Sequence, residues 1–266
     1  MELNIYQVDA FTSQPFSGNP AGVCITQSPL EESLMLAIAK EMALSETAFL
    51  DTSTMILRWF TPEIEVALCG HATLATAHVM KESGLASVGD IVEFNTQSGV
   101  LQAKLEDQQI ILDFPAAELL PAEVAQEKLT LLTIDAKEVV SYQQFASKDL
   151  IQIESEQSLR ALTPSFERLK QFPGRGVVVT APADDPELDF VSRYFAPWVG
   201  INEDPVTGTA HCALAVYWSP ILNKTRMCGY QASTRGGYVE MEYCNTNKRV
   251  KLYGSAHTVI KGVLSV

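Results

Sequence analysis

Three stretches hold residues whose types and spacing could carry chemistry. Glu203-Asp204-Pro205-Val206-Thr207-Gly208-Thr209-Ala210-His211-Cys212 is a polar turn that runs into an apolar, helix-like segment ending near Trp218. Pro205 stiffens the approach and Gly208 admits unusual backbone angles, so the amides of Gly208, Thr209 and Ala210 can present N–H groups to an anion. An ordinary capped helix start fits the same residues. Leu68-Cys69-Gly70-His71-Ala72-Thr73 opens a second helix in the same manner. The third stretch is Leu44–Leu50, in which Glu46 is the only ionisable residue. A carboxylate among apolar neighbours is costly unless it has a partner or a task, although strand alternation could turn it to solvent. Asn19, in the turn-rich run Phe16–Gly22, has the type of a plain turn residue.

The elements that must position these groups can be read around them. Residues 3–9 and 23–26 have strand character. Ser28-Pro29-Leu30-Glu31 predicts a helix start with a capping box, and Leu30, Leu34, Ile38 and Met42 predict its core face. Glu46 opens a strand-like run, residues 56–61 form the next strand, and the helix from Cys69 ends near Gly84. Strands near 91–95, 100–105 and 110–114 are separated by turn residues suited to antiparallel hairpins. The acidic run 116–135 reads as a connection between halves. Beyond it lie strands near 137–145 and 149–153, a helix entered at Thr163-Pro164, a buried-type strand over 176–180, an extended run over 190–195, and hairpins from Tyr230 to Val266.

The chain repeats itself. Arg58-Trp59-Phe60-Thr61-Pro62 returns 135 positions later as Arg193-Tyr194-Phe195-Ala196-Pro197. Gly70-x-Ala72-x-x-Ala75-x-Ala77 returns 138 positions later as Gly208-x-Ala210-x-x-Ala213-x-Ala215. Order and spacing of this kind indicate a duplicated unit, strands wrapped round a central helix in each half. The change of offset places three extra residues before the second helix, at Asn202-Glu203-Asp204. Two such halves are expected to direct their helix starts towards one bound anion. Between copies, Cys69 is matched by Thr207, His71 by Thr209 and Asp204 by Val66. Near the equivalent of Glu46 the second half reads Val178-Val179-Thr180-Ala181, so the acid has no twin.

The totals narrow the function. In 266 residues, 47% hydrophobic, there is enough apolar material for one large domain or two ordinary ones. A net charge of −13 argues against nucleic acid and anionic membrane as partners, while a small anion can still be held locally by backbone amides. The first residues lack a basic stretch followed by an apolar one, and no apolar run reaches the ~18 residues of a membrane span, so the expected location is the cytoplasm. Five widely spaced cysteines without C-x-x-C indicate neither a disulfide framework nor a zinc site, and no metal ligand set is assigned.

Gly18-Asn19-Pro20-Ala21-Gly22-Val23, Ser45-Glu46-Thr47-Ala48-Phe49, Leu68–Thr73 and Glu203–His211, in that order over nearly the whole chain, resemble the signature blocks of the PhzF-like isomerases of phenazine biosynthesis. The resemblance implies an α+β, diaminopimelate-epimerase-like fold of two pseudo-symmetric domains, each an antiparallel sheet or barrel round a central helix. The domains would be residues 1–118 and 119–266, with the last strand able to pack back on the first. It also implies a cofactor-independent isomerase, often a homodimer, acting on a small carboxylate-containing metabolite. By the same resemblance the catalytic glutamate is Glu46, assisted by His71 and Asp204, with Asn19, Gly70, Ala72, Thr207, Gly208 and Thr209 binding substrate. Related epimerases use two cysteines. Here Cys69 is a possible thiol, but its duplicate is Thr207, which disfavours a two-thiol racemase. A non-catalytic binding protein and a cysteine-dependent racemase or epimerase stay as alternatives. His211 and Cys212, one turn inside the second helix, are read as packing, and His78 and His257 as structural or surface residues.

Overall fold

Two alanine-rich segments supply the helices that strands can enclose closely, and β-branched and aromatic runs supply the strands. The computed structural model describes residues 1–266 and divides them into two units, one of residues 1–114 and 251–266, the other of residues 115–250.

The first unit contains β1 (Glu2–Ala10), β2 (Asn19–Thr26), α1 (Glu32–Met42), β3 (Glu46–Asp51), β4 (Ile56–Phe60), β5 (Glu65–Val66), α2 (Gly70–Glu82), β6 (Ile91–Thr96), β7 (Gly99–Leu105) and β8 (Ile110–Pro115). β2 pairs antiparallel with β1 and parallel with β3. β3 then pairs antiparallel with β4, which pairs antiparallel with β5 and parallel with β6, and β6, β7 and β8 form an antiparallel meander. Each unit therefore holds a mixed sheet, not the purely antiparallel one expected. α2 is buried on all sides, with Ala72, Ala75 and Ala77 fully enclosed against β1, β2, β3 and β7. Its buried hydroxyls are satisfied within the helix: Thr73 Oγ1 donates to the Cys69 carbonyl at 2.5 Å and Thr76 Oγ1 to that of Ala72 at 2.7 Å.

α1 covers the outer face of the same sheet. It starts at Glu32, later than the capping-box reading placed it, with an extended Glu31 at its N-cap and no capping side chain. Thr26 Oγ1 donates to the Ser28 carbonyl at 2.8 Å, and the Glu31 carbonyl accepts the first helical N–H groups, those of Leu34 and Met35, at 3.0 and 3.1 Å. The face that enters the core is accordingly Met35, Ile38 and Ala39, packed on Leu3, Ile5, Phe49 and Phe60, with Leu30, Leu34 and Met42 only partly covered.

The second unit contains β9 (Leu120–Pro121), α3 (Gln126–Leu132), β10 (Val139–Phe145), β11 (Lys148–Ile153), α4 (Glu156–Ala161), α5 (Phe166–Leu169), β12 (Gly176–Pro182), β13 (Phe190–Ala196), β14 (Ile201–Glu203), α6 (Gly208–Leu222), β15 (Arg226–Gln231) and β16 (Gly237–Cys244). The chain leaves it through β17 (Arg249–Gly254), and β18 (Ala256–Ser265) pairs antiparallel with β1 in the first unit. The run 116–135 is thus not a bare connection, because α3 sets Leu129, Leu131 and Leu132 into the core. The helix expected to enter at Thr163-Pro164 is the short α5, which starts at Phe166, and a further short helix, α4, ends ahead of Pro164 at Ala161. Ser155 caps α4 by accepting the Ser158 N–H at 3.1 Å.

The pairing order of the first unit recurs in the second. β11 and β12 are parallel, β12 and β13 antiparallel, β13 and β14 antiparallel, β13 and β15 parallel, β15 and β16 antiparallel. One ion pair recurs with it. Arg58 grips both carboxylate oxygens of Glu65 at 2.6 Å and lies over Phe60 at 5.0 Å. Arg193 grips Glu203 at 2.7 and 2.9 Å and lies over Phe195 at 4.9 Å. Phe60 faces Glu65 just as Phe195 faces Glu203, so the three extra residues lie between those partners, in the stretch with the 3₁₀ turn Pro197–Val199, and not at Asn202–Asp204. Register also corrects the equivalent of Glu46. Phe49 opposes Arg58 and Val179 opposes Arg193, which sets Glu46 against Gly176 and not within 178–181.

Candidate functional site

In the first unit the starts of β2 and β3 meet the start of α2. Gly18, with φ +66°, makes the turn into β2, and any side chain there would strike the Ala10 carbonyl. Asn19 follows, fully buried. Parallel register sets Ala21 beside Glu46, the first residue of β3. Cys69 is the N-cap of α2 and His71 lies in its first turn, which has neither an acid nor a side-chain cap.

The side chains then form a chain of contacts. His71 Nε2 lies 3.4 Å from Glu46 Oε2 and 3.3 Å from Ser45 Oγ, and Ser45 Oγ donates to Asn19 Oδ1 at 3.4 Å. On the other side of the ring, His71 Nδ1 lies 3.5 Å from Cys69 Sγ. Burial pushes the imidazole down to about 3, so it is neutral through the physiological range. A neutral ring beside a carboxylate is best satisfied with its proton on Nε2, leaving Nδ1 to accept from the thiol. The contacts are long, as catalytic hydrogen bonds without substrate often are.

Glu46, Cys69 and His71 also bring three metal-binding atom types within 4.8 Å of one another. The thiol faces Nδ1 and the carboxylate faces Nε2, on opposite sides of the ring.

In the second unit Asp204, Thr207, Gly208 and Thr209 come together at the start of α6. The Asp204 N–H donates to the Tyr194 carbonyl at 3.0 Å, and Thr207 Oγ1 donates to Asp204 Oδ2. That hydroxyl, the N-cap of α6, is thereby turned from the helix, which has no side-chain cap and no acid in its first turn. Gln231 clamps the loop: its Oε1 accepts the Thr207 N–H at 2.8 Å and its Nε2 donates to the Asp204 carbonyl at 2.6 Å. His211 and Cys212 are buried, His211 beside Phe190 with ring centroids 6.2 Å apart.

The candidate residues thus fall into two groups, each inside one unit: Asn19, Glu46, Cys69, Gly70, His71 and Ala72, and Asp204, Thr207, Gly208 and Thr209. Sequence reasoning missed Ser45, Gln231 and Lys148, whose Nζ donates to Thr209 Oγ1 at 3.4 Å. Ser45 could have been found from its place beside Glu46. Gln231 and Lys148 sit at strand ends remote in sequence from what they touch and carry no local signal.

Residues 8–262 match the family model for phenazine biosynthesis-like proteins, PhzC-PhzF. The chain is 44% identical over 270 residues to an uncharacterised isomerase of Halalkalibacterium halodurans, covering 99% of each. The crystal structure of a PhzF-family phenazine biosynthesis protein of Enterococcus faecalis matches with a TM-score of 0.91 at 38% identity, covering 100% of both chains. A hydroxyproline epimerase of Agrobacterium vitis matches with a TM-score of 0.70 at 11% identity, covering 100% of this chain and 93% of the other, a likeness of fold alone.

Proposed function

Because the chain belongs to the phenazine biosynthesis-like family, we propose that it is an isomerase that moves a proton, and with it a double bond, within a small carboxylate-containing metabolite in the cytoplasm. The observation that carries this reading is the placement of Glu46, 14% exposed, against the neutral ring of His71. The carboxylate of Glu46 takes a proton from one substrate carbon, and the electrons of that C–H bond form a new double bond as the old one shifts. Glu46, now a carboxylic acid, returns the proton to the carbon at the far end of the shifted system. Nothing is oxidised or reduced, and Glu46 ends as it began.

His71 Nε2, 3.4 Å from Glu46 Oε2, is placed to steady that oxygen once substrate draws the two together, which leaves Oε1 for the proton transfer. The amides at the start of α2, Gly70, His71 and Ala72, are suited to hold the substrate carboxylate and to spread charge that develops beside it. Asp204 and its loop are assigned to substrate handling. The isomerase names of relatives support the reaction class; the single-glutamate mechanism is our proposal.

Replacement of Glu46 by glutamine keeps shape and removes the acid–base function. With a turned-over substrate in deuterated water, Glu46→Gln should lower exchange into the substrate by about 10²- to 10⁴-fold while ligand binding survives. Exchange at the wild-type rate would leave Glu46 without this role and favour a different base or a binding protein.

A further inference from the structure

The connection between β1 and β2, residues 11–18, holds two phenylalanines in a backbone conformation that bulky side chains rarely adopt. Phe11 has φ +60° and Phe16 φ +68°. Glycine or asparagine would make either turn with less strain. Phe11 gains from its conformation, because it is 2% exposed and packs with Leu74 of α2 into the room left by Gly254, where any Cβ would strike both. Phe16 has no such burial to set against the strain. It is 79% exposed.

The fold nevertheless imposes this conformation. The Phe16 N–H donates to Oδ2 of the buried Asp9 at 2.7 Å, Thr12 Oγ1 and Ser17 Oγ lie 2.7 Å apart, and the Thr12 N–H donates to the Ser255 carbonyl at 3.2 Å. A buried carboxylate that holds the backbone amide fixes the turn whatever the side chain, so the ring is kept out in solvent. Strand register gives its place. Ala10 faces Asn19 in the last β1–β2 pair, and parallel pairing sets Ala21 beside Glu46 at the start of β3. Residues 11–18 therefore project past the sheet end at which Asn19, Ser45, Glu46 and His71 meet. No more than about 11 Å of backbone separates Phe16 from Asn19. The groups in that row are hydrogen-bonding ones, so an apolar surface for a carbon skeleton has to come from their rim.

We propose that Phe16 is the apolar wall of the first-unit site, so that the ligand taken there is a carboxylate carrying a flat, unsaturated carbon skeleton. An aromatic ring packs best against a flat π-bonded partner, and covering Phe16 removes its apolar surface from water. The clamped turn holds the backbone beneath the ring ready, so little ordering cost falls on binding. The wall deepens the isomerase reading and rests on it in taking that ligand to be the substrate.

The test is calorimetric titration of the full chain with sorbate, a flat dienoic carboxylate, and separately with acetate, which has the carboxylate without the skeleton. Wild type and Glu46→Gln are expected to bind sorbate alike and more tightly than acetate. Phe16→Ala should weaken sorbate about tenfold or more and leave acetate within about twofold, and Phe16→Tyr should restore sorbate. Urea unfolding separates a structural role: Phe16→Gly relieves the turn and removes an exposed ring, so it should unfold at about the wild-type midpoint while binding sorbate as weakly as Phe16→Ala. Sorbate bound no more tightly than acetate, unchanged sorbate binding in Phe16→Ala, equal loss of both ligands, or a clearly lower midpoint in Phe16→Gly would each overturn the wall. If Glu46→Gln still exchanges deuterium while the Phe16 results hold, the isomerase reading fails and the wall stands.

Discussion

His71 joins a carboxylate to a thiol: its Nε2 lies 3.4 Å from Glu46 Oε2 and its Nδ1 3.5 Å from Cys69 Sγ. With the ring neutral, we predict that the thiol acts as the donor that fixes the tautomer, a positioning role rather than a nucleophilic one. Cys69→Ser keeps a donor to Nδ1 and should retain deuterium exchange within about tenfold of wild type. Cys69→Val leaves Nδ1 unpaired in a buried setting and should cost about 1–3 kcal/mol of stability. A racemase that used Cys69 as its acid–base would lose all exchange in the serine variant, so kinetics of that variant separate the two readings.

Gln231 is predicted to be the strongest positioning residue of the second unit. It is fully buried and satisfies both the Thr207 N–H and the Asp204 carbonyl. Gln231→Leu strands both groups and should destabilise the protein by about 2–4 kcal/mol, measured by urea unfolding. Gln231→Glu keeps the acceptor for Thr207 but loses the donor to Asp204 and adds a buried charge, so it is expected to be at least as harmful.

The duplicated arginines should differ in weight. Arg193 is 12% exposed and its Nη1 also donates to the carbonyls of Leu159 at 3.2 Å and Leu162 at 2.8 Å, tying β13 to the end of α4. Arg58 is 26% exposed, and its further partner, Glu32, is 69% exposed. Loss of the more buried pair leaves Glu203 and two carbonyls without their donor. Arg193→Met should therefore cost about 3 kcal/mol or more and Arg58→Met about 1–2 kcal/mol, compared by chemical denaturation.

Acid should unfold the protein partly through its buried histidines. Burial holds His71 at about 3 and His211 at about 4, against roughly 6.5 in an unfolded chain. Both pKa values are depressed in the folded state, so the stability is intact above pH ~6.5 and is lost as pH falls towards the folded values, because only the unfolded chain takes up the protons. The loss should approach about 1.4 kcal/mol per pH unit per histidine between pH ~5.5 and ~4.5. His211→Gln should remove about half of this histidine contribution in unfolding curves taken at pH 7 and pH 5.

Much of this was legible in order along the chain. The strands from Ile91 to Phe114, the helix starts at Gly70 and Gly208, and the isolation of Glu46 among apolar residues follow from local composition and period. The start of α1 is misread from sequence because Ser28-Pro29-Leu30-Glu31 has capping residues at capping spacing, while the chain stays extended through Glu31, whose backbone forms the N-cap. Thr163-Pro164 marks the boundary ahead of α5, whereas the cap of α4, Ser155, is not distinguished from other serines by local sequence alone. Parallel pairing is not legible, since it joins segments 25 to 39 residues apart with no local turn to announce it.

By itself the sequence determined that the protein is a duplicated unit, that two glycine-led helices start in comparable settings, and that one acid, Glu46, has no twin. Those properties are written in residue types and intervals. Only the tertiary structure decided that the place of Glu46 is taken by Gly176, that Lys148 stands beside it over the Tyr194 ring, and that His71 is a neutral bridge between Glu46 and Cys69. Register across parallel strands fixes the first two, and burial of an imidazole fixes the third. Both are properties of what lies alongside a residue in space, which its neighbours in sequence do not specify.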